Sequence, residues 1–423
     1  MKRIAILTFG CSLNQADSEI MKHLIKERIK QKKDLRLVKN PKNAEIVIVN
    51  TCAVKKPTEI HMLRIIKELE NLSKKVIVCG CLAQTMPEYF KNLSLLGTED
   101  LERINEAIDA TNENRIVKFL NNKYEKLSSI EKCFHNKVIE IIPISRGCLG
   151  NCTYCITKIA RGNLRSYPPE KIIERIKLAV KKGIKEIWLS SQDSFCYGFD
   201  IGTNIVELMK EINKINSDFK VRIGMGNPNH LKLFLDDMLL QFSDKFFKFL
   251  HIPVQTGSNK ILREMNRYYS VEEFVELVQK IREYDPLFSI ATDIMVGFPS
   301  ETQEDFEETL KLIEIIKPDV VNISRFGKRP KTILWNVKEL MGKEVKKRSR
   351  ILTMKCNEVE FERNKIWIGK YCKVLIDEKN KQNLVGRNDY YKPIVIKSTK
   401  ISLGEWVITK VIDAKPHFLI SEL

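Results

Sequence analysis

Three cysteines within eight residues are the most chemically loaded stretch of the chain. Cys148, Cys152 and Cys155 sit in Cys148-Leu-Gly-Asn-Cys152-Thr-Tyr-Cys155, separated by three and then two residues. That spacing lets three thiolates close on one face of an iron–sulfur cluster without straining a short loop. Structural zinc sites and ordinary ferredoxin clusters take four protein ligands, so a set of three leaves one metal position open to something that is not protein. Two blander readings stay open at this point: a zinc knuckle that borrows a distant ligand such as Cys133, and buried free thiols.

A second set lies upstream. The short β-branched runs Ile4–Leu7, Ile46–Val49 and Val76–Val78 alternate with helical stretches at Asp17–Lys30 and Pro57–Leu69. This is the pattern of buried parallel strands joined by crossover helices, and ligands of such sheets sit beyond the carboxyl ends of the strands. Each run is followed there by cysteine: Cys11, then Cys52, then Cys79 and Cys81. Three strand ends presenting one thiolate each would make a second cluster site. Aligning Val49-Asn-Thr-Cys52 with Val78-Cys-Gly-Cys81 sets Cys81 level with Cys52, so Cys81 is the chosen ligand and Cys79 is set aside.

The elements that must position these groups give an α/β fold class in three parts. Residues 1–125 read as a parallel-sheet α/β domain, and the polar stretch between about Asn112 and Cys133 as a linker. Residues 135–360 alternate strand and helix, with candidate strands at Val138–Ile144, Glu186–Leu189, Lys220–Met225, Phe246–Ile252, Phe288–Val296 and Val320–Ser324. Repeated βα units imply a parallel barrel, complete or partial, with its site at the strands' carboxyl ends. The Cys148 loop follows the first of these strands, and Ser190, Ser191, Gln192, Asp193, Asn227, Pro253, Gln255, Gly297 and Arg325 end the later ones. Residues 362–423 read as short alternating strands of a small all-β barrel. Its lysines interleave with Tyr390, Tyr391 and Trp406, which suit phosphate contact and base stacking, although the aromatics equally suit a core.

The three-then-two cysteine spacing with Tyr154 before the last cysteine resembles the radical S-adenosylmethionine enzymes. The resemblance implies that the open iron chelates S-adenosylmethionine and delivers the electron that yields an adenosyl radical, with Tyr154, Ser191, Gln192, Asp193, Gln255 and Gly297 as cofactor-binding candidates. Phe9-Gly-Cys-Ser-Leu-Asn14, Asn50-Thr-Cys-Ala-Val54 and Gly80-Cys-Leu-Ala-Gln84 ahead of such a core are similar to the methylthiotransferases. In that family Cys11, Cys52 and Cys81 would hold a second four-iron–four-sulfur cluster carrying the sulfur to be inserted. Cys152-Thr-Tyr-Cys-Ile-Thr-Lys-Ile-Ala-Arg-Gly162, Ser191-Gln-Asp-Ser-Phe-Cys-Tyr-Gly198 and His251-Ile-Pro-Val-Gln-Thr-Gly-Ser258 resemble the archaeal and eukaryotic branch acting on threonylcarbamoyladenosine in tRNA. Lys331 stands where relatives of this branch often have glycine. The last part resembles a TRAM domain, which implies RNA binding, with Lys373, Arg387, Tyr390 and Lys392 as candidates.

Charge and composition agree with such partners. The chain has 423 residues, 72 Lys and Arg against 54 Asp and Glu, and a formal net charge of +18. A surplus of that size suits a polyanion such as tRNA. Eleven cysteines, an odd number, argue for metal ligands and thiols rather than a disulfide framework. The apolar run after Met-Lys-Arg is too short for a signal-peptide core, and no apolar run approaches membrane-spanning length, so the expectation is a cytoplasmic protein with no membrane partner. The function expected is therefore 2-methylthiolation of tRNA threonylcarbamoyladenosine, with two [4Fe-4S] clusters, S-adenosyl-L-methionine, and sulfur and electron donors that the sequence leaves unnamed. The alternatives are methylthiolation of isopentenyladenosine or of a ribosomal-protein aspartate, and a non-enzymatic iron–sulfur RNA-binding protein.

Overall fold

The computed structural model describes residues 1–120, 130–380, 382–398 and 400–423. The middle of the polar linker, Asn121 to Ser129, lies outside the described residues. Compactness divides the chain into two units: residues 1–135, 141–171 and 327–336, and residues 136–140, 172–326 and 337–423.

In the first unit β1 (Lys2–Thr8), β2 (Leu35–Leu37), β3 (Ile46–Thr51), β4 (Lys75–Gly80), β5 (Ser94–Leu96) and β6 (Lys118–Phe119) form one sheet in the order β2-β1-β3-β4-β5-β6. All neighbours are parallel. The strands β2, β5 and β6 escape the sequence reading because runs of two or three residues carry no periodicity. Helices α1 (Ser12–Lys32), α2 (Lys56–Asn71), α3 (Cys81–Thr85) and α4 (Ile104–Asn112) connect them. Alternation along β3 and β4 sends Val47, Val49, Val76 and Val78 into one apolar cluster and Ile46, Ile48, Ile77 and Cys79 into another.

The chain then forms β7 (Ile139–Pro143), a two-stranded antiparallel pair β8 (Ser145–Arg146) and β9 (Arg165–Ser166), and between these α5 (Ile156–Arg161). Helix α6 (Pro169–Lys181) leads to the alternating strands and helices of the second unit.

There β10 (Glu186–Ser190), α7 (Ile205–Asn213), β11 (Lys220–Ile223), α8 (Pro228–Leu231), α9 (Leu235–Leu239) and β12 (Phe249–His251) are followed by α10 (Asn259–Glu264), α11 (Val271–Tyr284), β13 (Ser289–Val296), α12 (Gln303–Ile316), β14 (Val320–Arg325) and α13 (Gly342–Lys365). The strands form two three-stranded sheets, β11-β10-β7 and β12-β13-β14, which a parallel bridge from Val221 to Phe246 joins into an open, partial barrel. Helices α11 and α12 start at capping boxes, Ser270 with Glu273 and Thr302 with Asp305, which satisfy amide groups that the first helical turn leaves unpaired.

Strands β15 (Tyr371–Lys379), β16 (Leu384–Asn388), β17 (Pro393–Ile396), β18 (Trp406–Ala414) and β19 (Leu419–Glu422) close into a barrel in the order β15-β16-β17-β19-β18. Its core holds Val374, Ile376, Leu384, Ile394, Ile396, Val411 and Leu419. Among the described residues no helix is long and apolar enough to cross a membrane.

Candidate functional site

The upstream cysteines occupy three neighbouring strand ends of the first unit. Cys11 is the N-cap of α1, Cys52 follows β3, and Cys81 opens α3 directly after β4. Asn14, one turn into α1, ties them together. Its Oδ1 lies 3.9 Å from Cys11 Sγ and 3.8 Å from Cys81 Sγ, while its Nδ2 donates to the carbonyls of Phe9 and Thr51, both at 2.8 Å. A Cβ on Gly10, whose φ is +102°, would stand 3.0 Å from Cys52 Sγ, so the Cys11 loop passes directly over Cys52. Cys79 faces the other side of the sheet, its thiol 3.6 Å from the Val49 carbonyl oxygen.

Cys148, Cys152 and Cys155 lie on the loop from β8 to α5, with Cys155 as the N-cap of that helix. The Cys155 amide donates to the Cys152 carbonyl at 3.1 Å, the Gly150 amide to Cys148 Sγ at 3.1 Å, and Lys158 Nζ to the Cys148 carbonyl. Gly147 is required here: its φ is +74°, and a Cβ would collide with the Asn163 carbonyl oxygen at 1.9 Å.

Helix α5 links the two cysteine sets. Ile156 and Ala160 pack in the same apolar cluster as Cys52 and Cys81. Arg161, at the end of α5, is fully buried, and its Nη2 donates to Asn14 Oδ1 at 2.7 Å and pairs with Asp17 at 2.6 Å. Asp17 also pairs with Arg146 at 2.8 Å, and Arg146 donates to the Thr98 carbonyl at 3.1 Å. On the other side Arg329 pairs with Glu59 and donates to the Val54 carbonyl at 2.8 Å. Burial pushes the Cys81 thiol up to about 12, with Arg161 pulling the other way, and it raises Cys52 and Cys155 as well. A thiolate is stable at such positions only when positive charge or a metal offsets the lost hydration.

The donor chemistry fits clusters better than single ions. A zinc ion with Zn–S bonds of about 2.3 Å holds its sulfurs roughly 4 Å apart. Among the described residues, neither cysteine set belongs to a group whose donor atoms all lie within 4.8 Å of one another. The group that does is Asp193, Cys196 and His230, in the second unit. There Asp193 accepts from the Phe195 amide at 3.1 Å and the Asn227 amide at 2.9 Å, and pairs with His230 Nδ1 at 2.7 Å. Asp193 thus knits the loops after β10 and β11.

The other cofactor candidates of the barrel occupy distinct environments. Ser191 and Ser194 hydroxyls are 2.9 Å apart, and Gln192 Oε1 is buried without a hydrogen-bond partner among the described residues. Gln255 is a buried residue with φ of +78°, held by its amide to the Asp293 carbonyl and its carbonyl to the Met295 amide, both at 2.8 Å. Left-handed backbone at a buried non-glycine residue costs energy and concentrates at functional sites. Gly297, φ +79°, donates its amide to Glu301 at 2.9 Å, and a Cβ there would meet Val345 at 2.7 Å. Packing against α13 therefore already requires glycine at that position. Tyr154 is half-buried on its loop.

Three of the four RNA candidates have partners within the protein. Lys392 is only 3% exposed, with Nζ 2.8 Å from Asp319 and 2.6 Å from Asn364 Oδ1. Arg387 pairs with Asp377 at 3.2 Å beside the Tyr391 ring, and Tyr390 donates its hydroxyl to Asp285 at 3.0 Å with its ring against Trp367. Tyr391 turns left-handed at φ +60°, which swings the following lysine inward. Lys373 remains exposed, its Nζ 4.7 Å from the Trp406 ring. Cross-strand pairing puts Tyr371 opposite Lys410 and Lys373 opposite Ile408, and Tyr371 and Ile408 are 72% and 70% exposed. Lys331, in the segment that carries Arg329, has φ +66°, the conformation that glycine adopts without strain.

Comparisons with known proteins match each part of the chain. The family models matched are the Radical SAM superfamily over residues 142–313, the uncharacterized protein family UPF0004 over residues 3–96 and the TRAM domain over residues 365–423. The chain is 42% identical to a probable threonylcarbamoyladenosine tRNA methylthiotransferase of Pyrococcus horikoshii, covering all of both chains. It is 37% identical to its counterpart in Methanocaldococcus jannaschii, covering 100% of this chain and 97% of that one. With the human threonylcarbamoyladenosine tRNA methylthiotransferase it shares 34% identity over 99% of this chain and 73% of the relative. In fold it resembles the radical S-adenosylmethionine methyltransferase TsrM of Kitasatospora setae, with a TM-score of 0.60 at 15% identity, covering 79% of this chain and 75% of that one.

Proposed function

The chain belongs to the threonylcarbamoyladenosine tRNA methylthiotransferases, and we propose that it converts N6-threonylcarbamoyladenosine next to the anticodon of tRNA into its 2-methylthio derivative by radical S-adenosylmethionine chemistry. The observation that carries this reading is the pair of three-cysteine sets joined by one helix, α5, with Cys155 at its start and Arg161, bonded to Asn14, at its end. When bound, a [4Fe-4S] cluster at Cys148, Cys152 and Cys155 supplies the electron that cleaves S-adenosylmethionine, and one at Cys11, Cys52 and Cys81 carries the sulfur.

The rest falls to the protein's own groups. An adenine C2–H has no useful acidity near neutral pH, so no general base in the chain would suffice, and radical chemistry is the suitable tool. Lys158 and the Gly150 amide fix the Cys148 end of the loop. Gln192 offers an acceptor and Gln255 a strained, rigid strand end for S-adenosylmethionine. The N-terminal part, residues 1–125, serves sulfur insertion, residues 135–360 serve S-adenosylmethionine cleavage, and residues 362–423 hold tRNA. Tyr371, Lys373, Trp406 and Lys410 combine one exposed and one half-buried ring with ammonium groups, which suits stacking and phosphate contact.

The test is mass spectrometry of nucleosides from threonylcarbamoylated tRNA incubated anaerobically with reconstituted protein, reductant, sulfide and S-adenosylmethionine. A methylthio mass gain on that nucleoside is expected. Gain only on isopentenyladenosine, or 5′-deoxyadenosine release with no tRNA product, would overturn the substrate.

A further inference from the structure

Arg161 is in an environment that ordinary folding does not explain. It is fully buried, yet among the described residues its Nε and Nη1 have no hydrogen-bond partner. Orphaned guanidinium donors in a protein interior are costly, the more so for a charged group, and call for a partner that completes them. Asn14 Oδ1, which accepts from Nη2, is the same atom that sits within 4 Å of Cys11 Sγ and Cys81 Sγ. Asn14 thus places the Arg161 guanidinium beside the thiols.

Charge points the same way. Arg161 and Arg146 share Asp17, and Glu99 lies 4.0 Å from Arg146 and 2.6 Å from Arg165. Arg161 and Arg146 thus share the one carboxylate of Asp17, which cannot neutralise both guanidiniums. An oxidised four-iron–four-sulfur core bound by three thiolates carries one net negative charge, which is the complement.

We propose that Arg161 is a positioning residue for the cluster at Cys11, Cys52 and Cys81: its free donors bond the cluster's sulfur atoms, its charge raises the cluster's reduction potential, and Asp17 sets how much of that charge the cluster feels. The proposal rests on the reading that these three cysteines hold a cluster. Hydrogen bonds to the sulfurs and nearby positive charge favour the more negative, reduced state, so both push the potential upward.

The test uses the full chain with Cys148→Ala, Cys152→Ala and Cys155→Ala, so that iron and sulfide load only the first set. Iron content and a potentiometric titration followed by electron paramagnetic resonance are the readouts. Arg161→Met is expected to disfavour reduction by about tenfold, a shift of ~59 mV to more negative potential for one electron, and Arg161→Lys to recover part of it. Asp17→Asn removes a negative charge and is expected to shift the potential the opposite way. A merely structural role would move both variants in the same direction. Iron-loaded variants that share the parent's potential, or that shift alike, overturn the proposal. Where Arg161→Met loses its fold, pulsed resonance of the parent with 15N in its arginine side chains decides: a nitrogen coupling that persists in Arg329→Lys supports the contact, and its absence refutes it. A parent that takes up no iron overturns the cluster reading itself and the proposal with it, and iron content separates that failure from the others.

Discussion

Replacing Lys392 separates two roles that residue type alone does not. If its ammonium were a phosphate contact, Lys392→Met would leave stability nearly unchanged and weaken tRNA binding. The structure instead places it in a buried network in which Asp319 receives Lys392 at 2.8 Å, Arg282 at 2.7 Å and Arg363 at 3.2 Å. Methionine preserves most of the stem volume, so the loss is one arm of a buried ion pair and the 2.6 Å bond to Asn364. Breaking a buried pair typically costs 3–5 kcal/mol. Because two arginines continue to satisfy Asp319, about 2–3 kcal/mol is expected here. Lys392→Ala removes further buried methylenes at about 0.8 kcal/mol each and should cost about 2 kcal/mol more. Denaturant unfolding of both variants, with tRNA affinity measured across a salt series, provides the assay. Lys373→Ala should behave in the opposite way, unchanged in stability within about 0.5 kcal/mol and with a salt slope reduced by about one. A stable Lys392→Met with a reduced salt slope would refute the reasoning.

Gly297→Ala should destabilise by about 2–4 kcal/mol, from left-handed backbone plus the clash with Val345 on α13, and a melting temperature equal to wild type would contradict it. Glu186, buried against Trp188 and Asp377 with Arg222 and Arg387 nearby, is pushed up to about 7 by burial. Its folded form binds a proton that the unfolded form has lost between pH 4.5 and 7, so this contribution is present at low pH and falls as pH rises through that window. Glu186→Gln should remove this loss of stability, of order 3 kcal/mol across that window, and so flatten the dependence of melting temperature on pH. Cys148→Ala should abolish S-adenosylmethionine cleavage, whereas Cys52→Ala should retain some 5′-deoxyadenosine release without methylthiolation; full methylthiolation by Cys52→Ala would remove it from the sulfur-carrying site.

Much of this molecule is legible in local residue patterns because the informative signals are short. Cysteines three and two residues apart, β-branched runs ending in cysteine, and alternating strands near the C-terminus each state their meaning within about ten residues. Strand alternation alone would put Cys79 and Cys81, two residues apart, on one face; they enter opposite apolar clusters because β4 ends at Gly80, whose φ is +88°, and Cys81 opens α3. The same alternation marks Lys373 as outward-facing, between Cys372 and Val374.

What the tertiary structure alone decides are pairings between distant residues and charges whose partners are not neighbours. Arg161 finds Asn14 across 147 residues of sequence and Arg329 finds Glu59 across 270, and no local pattern announces either. Lys392 looked like Lys373 until the left-handed turn at Tyr391 carried it to Asp319. The physical reason is range. Backbone sterics and side-chain periodicity act over a few residues and can be read along the chain. Desolvation makes a buried charge depend on its counter-ion, and only the assembled fold determines which group that is.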